Sequence, residues 1–361
     1  MVLDSTFRKR ELGYSQLPVE LFSSKFSWRL HDIAKARYFY VWLFSLAIFP
    51  MVAAILVLKT NTWSSMVTRY IVIFSGELAF GSLPLACQVK KLKSISKLRS
   101  LLVKEVVRLG PDLNYDDWNL IAQHANEYLL QEGFWHSEHC IYDGAECLSY
   151  FRAQVYLPSI NNPSENHDEL LATELYEKSY EDYWNSQECV KFTTVQETNQ
   201  TLPKDTYHFS LVYDLILGAK EALAFLPLVM LFFLLLVSKI NLTMLVTYSV
   251  LWYLQLLASF CFLTRMSRKH VIFTPMNVMR LLKLELQLEP GESAREWDEV
   301  AKKMNTYLKD EGVFQGKRVF FDGKECHAKF QSLLAATLPE DDTKKSLYPE
   351  LVCFASEFRT A

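Results

Sequence analysis

The stretch DDWNLIAQHANEYLLQEGFWHSEHCIYDGAECLSYF, Asp116–Phe151, returns as REWDEVAKKMNTYLKDEGVFQGKRVFFDGKECHAKF, Arg295–Phe330, without a gap. Over the 34 residues from Trp118 to Phe151 there are 12 identities, too many for chance. Trp118, Ala122, Asn126, Tyr128, Leu129, Glu132, Gly133, Asp143, Gly144, Glu146, Cys147 and Phe151 recur as Trp297, Ala301, Asn305, Tyr307, Leu308, Glu311, Gly312, Asp322, Gly323, Glu325, Cys326 and Phe330. A fainter echo pairs Leu17-Pro18 with Leu202-Pro203. The chain is therefore an internal duplication, and one module read well explains two.

Within the first copy, Trp118, Ile121, Ala122, Ala125, Leu129 and Leu130 follow helical spacing. Gly133 and Gly312 stand where a left-handed cap would end that helix. The segments Glu138–Tyr142 and Lys317–Phe321 read as strands, and Asp143-Gly144 and Asp322-Gly323 as turns. A second helix is expected to start near Glu146 and Glu325. Each module thus reads as a small α+β unit.

Outside the modules, charge vanishes from two regions. Tyr38–Leu58 carries none over 21 residues, and Tyr70–Val89 carries only Glu77 before its last positions. Ala222–Ile240 and Leu242–Leu263 follow downstream. About 20 apolar residues in a helix cross a bilayer core. The expected fold class is a mainly α membrane protein: two transmembrane hairpins, four spans, each followed by an α+β cytosolic module, in a parallel duplication. Arg8, Lys9, Arg10, Lys25, Arg29, Lys35 and Arg37 precede the first span, and Lys90, Lys91, Lys93, Lys97 and Arg99 follow the second, which orients both termini to the cytosol. The expected organisation is an N-terminus (1–37), hairpin 1 (38–89), module 1 (90–152), an acidic linker (153–209), hairpin 2 (210–264), module 2 (265–335) and a tail (336–361).

Composition narrows the function classes. Half of the residues are hydrophobic and 22% charged, with a net charge of −3, which gives no sign of a nucleic-acid partner. With 11 glycines, no Walker or GxGxxG loop, no HExxH and no GxSxG, no catalytic motif is present and no cofactor is implied. Of the seven cysteines, Cys87 and Cys261 fall in or beside spans and the other five are expected to face the cytosol, where structural disulfides are rare.

Six features invite a functional reading, most with a structural alternative. His136, His139, Cys140 and Cys147 have the ligand types for zinc, yet only the cysteine at 147 recurs in the second copy (Cys326), so no metal site is expected. Asp143/Glu146 and Asp322/Glu325 are paired carboxylates suited to proton transfer, or equally a turn acid and a first-turn acid that favour the helix dipole. Cys147 and Cys326 at a helix start fit either a reactive thiolate or a small core residue. Glu77 within a span raises a transport role. The basic stretch Lys90–Leu109, with Leu92, Ile95, Leu98, Leu102 and Val106 at helical spacing, reads either as a lipid-surface helix or as one packed on its own module. The acidic run Glu165–Cys189 reads as a solvated helix and linker or as a dock for a basic partner.

Taken together, Leu17-Pro18, the two apolar pairs, Asp117-Trp118…Ala122…Asn126…Tyr128-Leu129, the copy from Glu296 to Asn305 and Phe320-Phe321-Asp322-Gly323-Lys324-Glu325-Cys326 resemble the DUP/COS family of budding yeast, in its longer two-repeat form. The resemblance implies a non-enzymatic multi-pass protein of the endosome and vacuole membranes that assists sorting of plasma-membrane cargo into multivesicular bodies, supplying ubiquitin in trans. Its implied partners are membrane lipids, membrane-protein cargo, a ubiquitin ligase with sorting machinery, and further copies or paralogues. Candidate ubiquitin acceptors are Lys302, Lys303, Lys309, Lys324, Lys344 and Lys345. Alternatives are a small transporter or channel, or a lipid-binding membrane organiser of the secretory pathway, with residence in the plasma membrane or endoplasmic reticulum.

Overall fold

The structure is a computed structural model that describes residues 16–42, 85–113, 115–162, 166–186, 201–220, 272–291, 293–310, 318–339 and 345–360, with isolated positions at 44, 83 and between 250 and 268. The chain divides into two compact units, Met1–Ser179 and Tyr180–Ala361.

Unit 1 opens with α1 (Pro18–Leu21), whose proline occupies a first-turn position where no amide is needed, and α2 (Lys25–Ala34). Ser24 caps α2, and Ser27 answers it through a reciprocal capping box. Next come α3 (residues 85–95), α4 (Arg99–Leu109) and α5 (Tyr115–Gln131). They lead to α6 (Gly144–Phe151), a π-helical turn at Arg152–Tyr156 and α7 (Leu157–Asn161). Leu98, Leu102 and Val106 line one face of α4, and Trp118, Ile121, Ala122, Ala125 and Leu129 line one face of α5. Both sets follow the helical period, so one stripe from each helix closes on Cys147, Phe151 and Val155. The boundary between the units falls within α8 (His167–Asn185).

Unit 2 repeats the design with α9 (Pro203–Thr206), α10 (residues 210–220), α11 (Pro275–Leu288), α12 (Ala294–Asp310) and α13 (Gly323–Thr337). Its core is Met279, Leu282, Trp297, Val300, Met304, Cys326 and Phe330. A final helix, α14 (Val352–Thr360), adds Phe354, which stacks on Trp184 with centroids 4.6 Å apart. Ser346–Ala361 thus contributes a buried aromatic to the second core, which its sequence alone did not reveal.

Three expectations need correction. Among the described residues there is no strand, and no helix is long and apolar enough to cross a membrane. The four-span membrane fold with α+β modules is therefore not supported, and the described residues of both units are built from helices and their connecting loops. The spans read at 38–58, 70–89, 222–240 and 242–263 lie mostly outside the described residues, as does Glu77. Residues 138–142 and 318–321 run as irregular loops, because a side chain satisfies the backbone groups that a neighbouring strand would have paired. Finally, the acidic run is helical over His167–Asn185, as its helix-and-linker reading had it, but one face of it is buried rather than solvated. Its Ala172, Tyr176, Tyr180 and Trp184 are buried at four-residue intervals, an aromatic stripe masked in the sequence by the surrounding acids.

Gly144 sits where α6 crosses α5. A Cβ there would lie 2.6 Å from the Asn119 amide nitrogen and 2.7 Å from the Tyr115 carbonyl oxygen. Gly133, at φ +68°, has open space around it and needs only its left-handed backbone. Thermal unfolding of the full chain should therefore separate the two: Gly144→Ala should cost about 2–3 kcal/mol by forcing two helices apart, and Gly133→Ala only about 1 kcal/mol. Equal losses would contradict the close crossing.

Candidate functional site

The loop before α6 and its counterpart before α13 gather most of the duplicated residues. Asn126, buried on α5, holds the loop with both ends of its amide: Nδ2 donates to the Ile141 carbonyl at 2.9 Å, and Oδ1 accepts the Ile141 amide at 2.7 Å. Asn305 does the same to Phe320, at 3.0 and 2.8 Å. Each pair of bonds reproduces what a strand partner would supply.

Asp143 and Asp322 cap the following helices by accepting from the Glu146 and Glu325 amides, at 2.8 and 2.7 Å. Those helices begin at Gly144 and Gly323, two residues earlier than the sequence suggests. The glutamates reach back to accept the Tyr142 and Phe321 amides, at 2.8 and 2.9 Å. The Gly144 amide donates to Asn119 and the Gly323 amide to Asp298. Trp118 and Trp297 donate their indole N–H groups to the carbonyls of Asp112 and Gly291, both at 2.9 Å. Tyr128 packs on Phe134, and Tyr307 lies under the Arg280 guanidinium. Gly312 lies outside the described residues.

A second contact completes each site. Leu17 and Pro18 are buried, and the Val19 amide donates to the Tyr142 carbonyl. Leu202 and Pro203 are buried likewise, and the Lys204 amide donates to the Phe321 carbonyl. Eleven residues beyond each leucine, an aromatic donor reaches the same loop: Trp28 to the His139 carbonyl at 2.7 Å, and Tyr213 to the Arg318 carbonyl at 2.9 Å. A cation covers each of these rings, Lys91 at 4.6 Å from Trp28 and Arg268 at 5.2 Å from Tyr213. Lys91 pairs with Glu146 at 2.8 Å, and Arg268 approaches Glu325 at 3.7 Å and Asp214 at 2.8 Å. Sequence reasoning found the Leu-Pro echo but not its continuation, although Phe22/Tyr207 and Trp28/Tyr213 keep the same spacing from the leucine. Asn119/Asp298 escaped because the two copies differ in type, and Lys91/Arg268 because the cation shifts register.

The electrostatics follow from burial. For Glu146, burial pushes the carboxyl upward, but the Lys91 charge and the hydrogen bonds from Lys91, Tyr150 and the Tyr142 amide outweigh it and hold it below the usual range. Burial pushes the Cys140 thiol up to about 12, and also raises Cys147 and Cys326 well above the ordinary thiol range, with the neighbouring acids Glu146 and Glu325 adding to the rise. Such thiols stay protonated, which opposes thiolate chemistry. The carboxylates Asp143, Glu146, Asp322 and Glu325 are each bound to backbone amides rather than aimed at an open site.

The residues that suggested zinc are drawn apart. His136 meets Asp32, His139 packs against Phe22 and His31, and Cys140 and Cys147 are buried. Among the described residues, no three His, Cys, Asp or Glu side chains come together to hold a metal.

On the basic stretch, the helix breaks at Ser96–Leu98, Lys91 is buried and Leu92 points outward, 64% exposed. Ile95, Leu98, Leu102 and Val106 pack on the module as the second of the two readings had it. Its Arg99 forks onto Glu169 of α8, at 3.2 and 2.9 Å. Of the lysines, Lys309, Lys324 and Lys345 are exposed, Lys302 and Lys303 are half-buried, and Lys344 lies outside the described residues.

The sequence model of the DUP family matches residues 39–162 and 226–341, one match for each repeat. The chain belongs to the DUP family. Among the proteins it is similar to are three of Saccharomyces cerevisiae. Protein COS1 is 25% identical over 358 residues, which covers 95% of this chain and 90% of that protein. Protein COS2 is 24% identical over 357 residues, again 95% and 90%. Protein COS8 is 23% identical over 345 residues, 90% and 86%. No solved structure matches. Within this COS-type protein of the DUP family, the repeat-defining residues are the ones that fasten loop to helix.

The pairing of Lys91 with Glu146 gives a signed test. Because the carboxyl is held low in the fold, its contribution is present above the ordinary carboxylate value and is lost as pH falls through the lower folded value. Lys91→Met removes the counter-charge and leaves burial to push Glu146 up, so stability should already fall at neutral pH, by about 2 kcal/mol, and the loss should shrink in acid. Thermal unfolding against pH reads this; a loss independent of pH would contradict it.

Proposed function

We propose that this COS-type protein works without catalysis in the endosome and vacuole membrane system, assisting the sorting of plasma-membrane cargo into multivesicular bodies and supplying ubiquitin in trans. Membership of the DUP family along both repeats carries the reading. The internal chemistry of the modules is consistent with it: the duplicated acids and amides are spent on holding loops, and the duplicated thiols are buried and protonated. What remains open to other molecules is surface, including the exposed amines of Lys309, Lys324 and Lys345. In this reading the partners are membrane-protein cargo, a ubiquitin ligase with its sorting machinery, and further copies or paralogues.

The test replaces Lys302, Lys303, Lys309, Lys324, Lys344 and Lys345 by Arg and follows turnover of a cargo without lysines of its own. Slower turnover with the variant still reaching the vacuole is the expected result. Turnover at the full rate would remove the ubiquitin-in-trans mechanism, and retention of the parent chain in the endoplasmic reticulum would remove the sorting reading.

One observation favours a second reading, binding of an anionic lipid surface. Leu85, Val89 and Leu92 form an exposed row along α3, 66%, 46% and 64% accessible, flanked by the exposed Lys90, Lys93 and Lys97. Apolar side chains at one helical face with lysines beside them fit a headgroup region. Flotation of the full chain with phosphatidylserine vesicles should weaken when Lys93 and Lys97 become Gln, and the difference from the parent chain should shrink at high salt. Unchanged flotation would end this reading.

A further inference from the structure

The two units fasten their leading helix to the same loop with different chemistry. In unit 2, Tyr213, Leu217 and Phe321 form an apolar cluster, with Tyr207 packed against it. Counting from the Leu-Pro pair, the equivalent positions in unit 1 are Trp28, Asp32 and, on the loop, Tyr142, with Phe22 in place of Tyr207. His31 stands where unit 2 has Ile216, and His139 where it has Arg318. The dock of unit 1 is thus the one that holds histidines at these positions.

The surroundings of the two histidines oppose a buried charge. His139 is 5% exposed, and its ring lies 5.8 Å from Phe22 and 6.2 Å from His31, while His31 is 5.0 Å from Phe22. The Nδ1 atoms of both are buried without a hydrogen-bond partner. A charge on either would sit beside a second imidazole and a phenyl ring. Burial first, and the Lys35 and His31 charges after it, hold His139 below the ordinary histidine range, against the opposing pull of Glu138 and Asp32.

The charged neighbours on every packed element do not reverse this. On α2, Asp32 accepts from Trp135 at 3.1 Å and Ser137 at 2.6 Å and meets His136 at 3.4 Å, so its carboxylate is already engaged; Lys35 is cationic. On the loop, Glu138 stands 3.7 Å from His139 but is half-exposed and therefore screened. On α3, Lys90 lies over Trp135 and Lys91 is tied to Glu146 of α6.

We propose that the contact of α2 with the 134–142 loop is a proton-sensitive latch: protonation of His139, packed beside His31, releases α2, while the apolar dock of α10 in unit 2 stays closed. The sign follows from linkage. A histidine held low in the docked state takes up its proton more readily when released, so release is favoured as pH falls below the ordinary value of 6.5. Glu146, held low beside Lys91, keeps its charge over that range.

Amide hydrogen exchange of the full chain between about pH 7.5 and about pH 5.5, corrected for intrinsic rates, tests the latch. Protection of 25–34 should fall relative to 210–218, by about tenfold per pH unit for each proton taken up only on release. Parallel loss in both segments, or none in either, would overturn the proposal. The His31→Ile/His139→Gln double variant should keep protection at neutral pH and lose its pH dependence; persistence of the acid response would overturn the assignment to this pair. If that variant is already unprotected at neutral pH, His31→Ile alone is decisive, because it gives unit 1 the side chain that unit 2 carries at this position. A reduced acid response supports the latch, and an undiminished one refutes it.

Discussion

An asparagine side chain that takes the place of a β-strand neighbour holds each unit together. Asn126 and Asn305 fasten loop residues Ile141 and Phe320 by donor and acceptor at once, inside the core, where an unpaired amide would cost about 1–3 kcal/mol. Everything near the clamp depends on it. The loop's direction sets the aspartate cap of the next helix, the cap sets where Gly144 or Gly323 meets the preceding helix, and the remaining loop carbonyls are left for the Leu-Pro segment and its aromatic partner. The Lys91–Glu146 and Arg268–Glu325 contacts then close the dock with charge.

Much of this was legible in the sequence. The duplication marked the residues that matter, and helical spacing located α5 and α12. Asp-Gly followed by Glu located the starts of α6 and α13 to within two residues. The strand reading failed for a physical reason: the residues at 138–142 suit an extended segment, but such a segment becomes a strand only beside another backbone. Here a side chain fills that role, and nothing in a local pattern distinguishes the two. The aromatic stripe Ala172–Tyr176–Tyr180–Trp184 was hidden because acids occupy the other faces of the same helix. Lys91 was counted as a topology signal, whereas its charge is neutralised by Glu146 and its ammonium lies over Trp28.

The duplication also shows what each copy was free to change. Both units keep the clamp, the cap and the Leu-Pro dock. They differ in what lines the dock, histidine and aspartate in one, tyrosine and leucine in the other. Retention of the clamp and cap, with divergence at the residues that line and brace the dock, is what a scaffold with a separately tuned first unit would show. Among the described residues of this DUP-family chain, the duplicated acids and amides are absorbed in the packing of the modules and the duplicated thiols are buried.

The most direct measurement is residue-resolved amide exchange at Ile141 and Phe320 in the full chain. Both amides lie in loops, outside any helix, so a loop held only by its ends would exchange them quickly. The clamp predicts protection comparable to that of buried positions in α5 and α12, abolished at Ile141 by Asn126→Ala and at Phe320 by Asn305→Ala. Fast exchange at both sites in the parent chain would contradict the account.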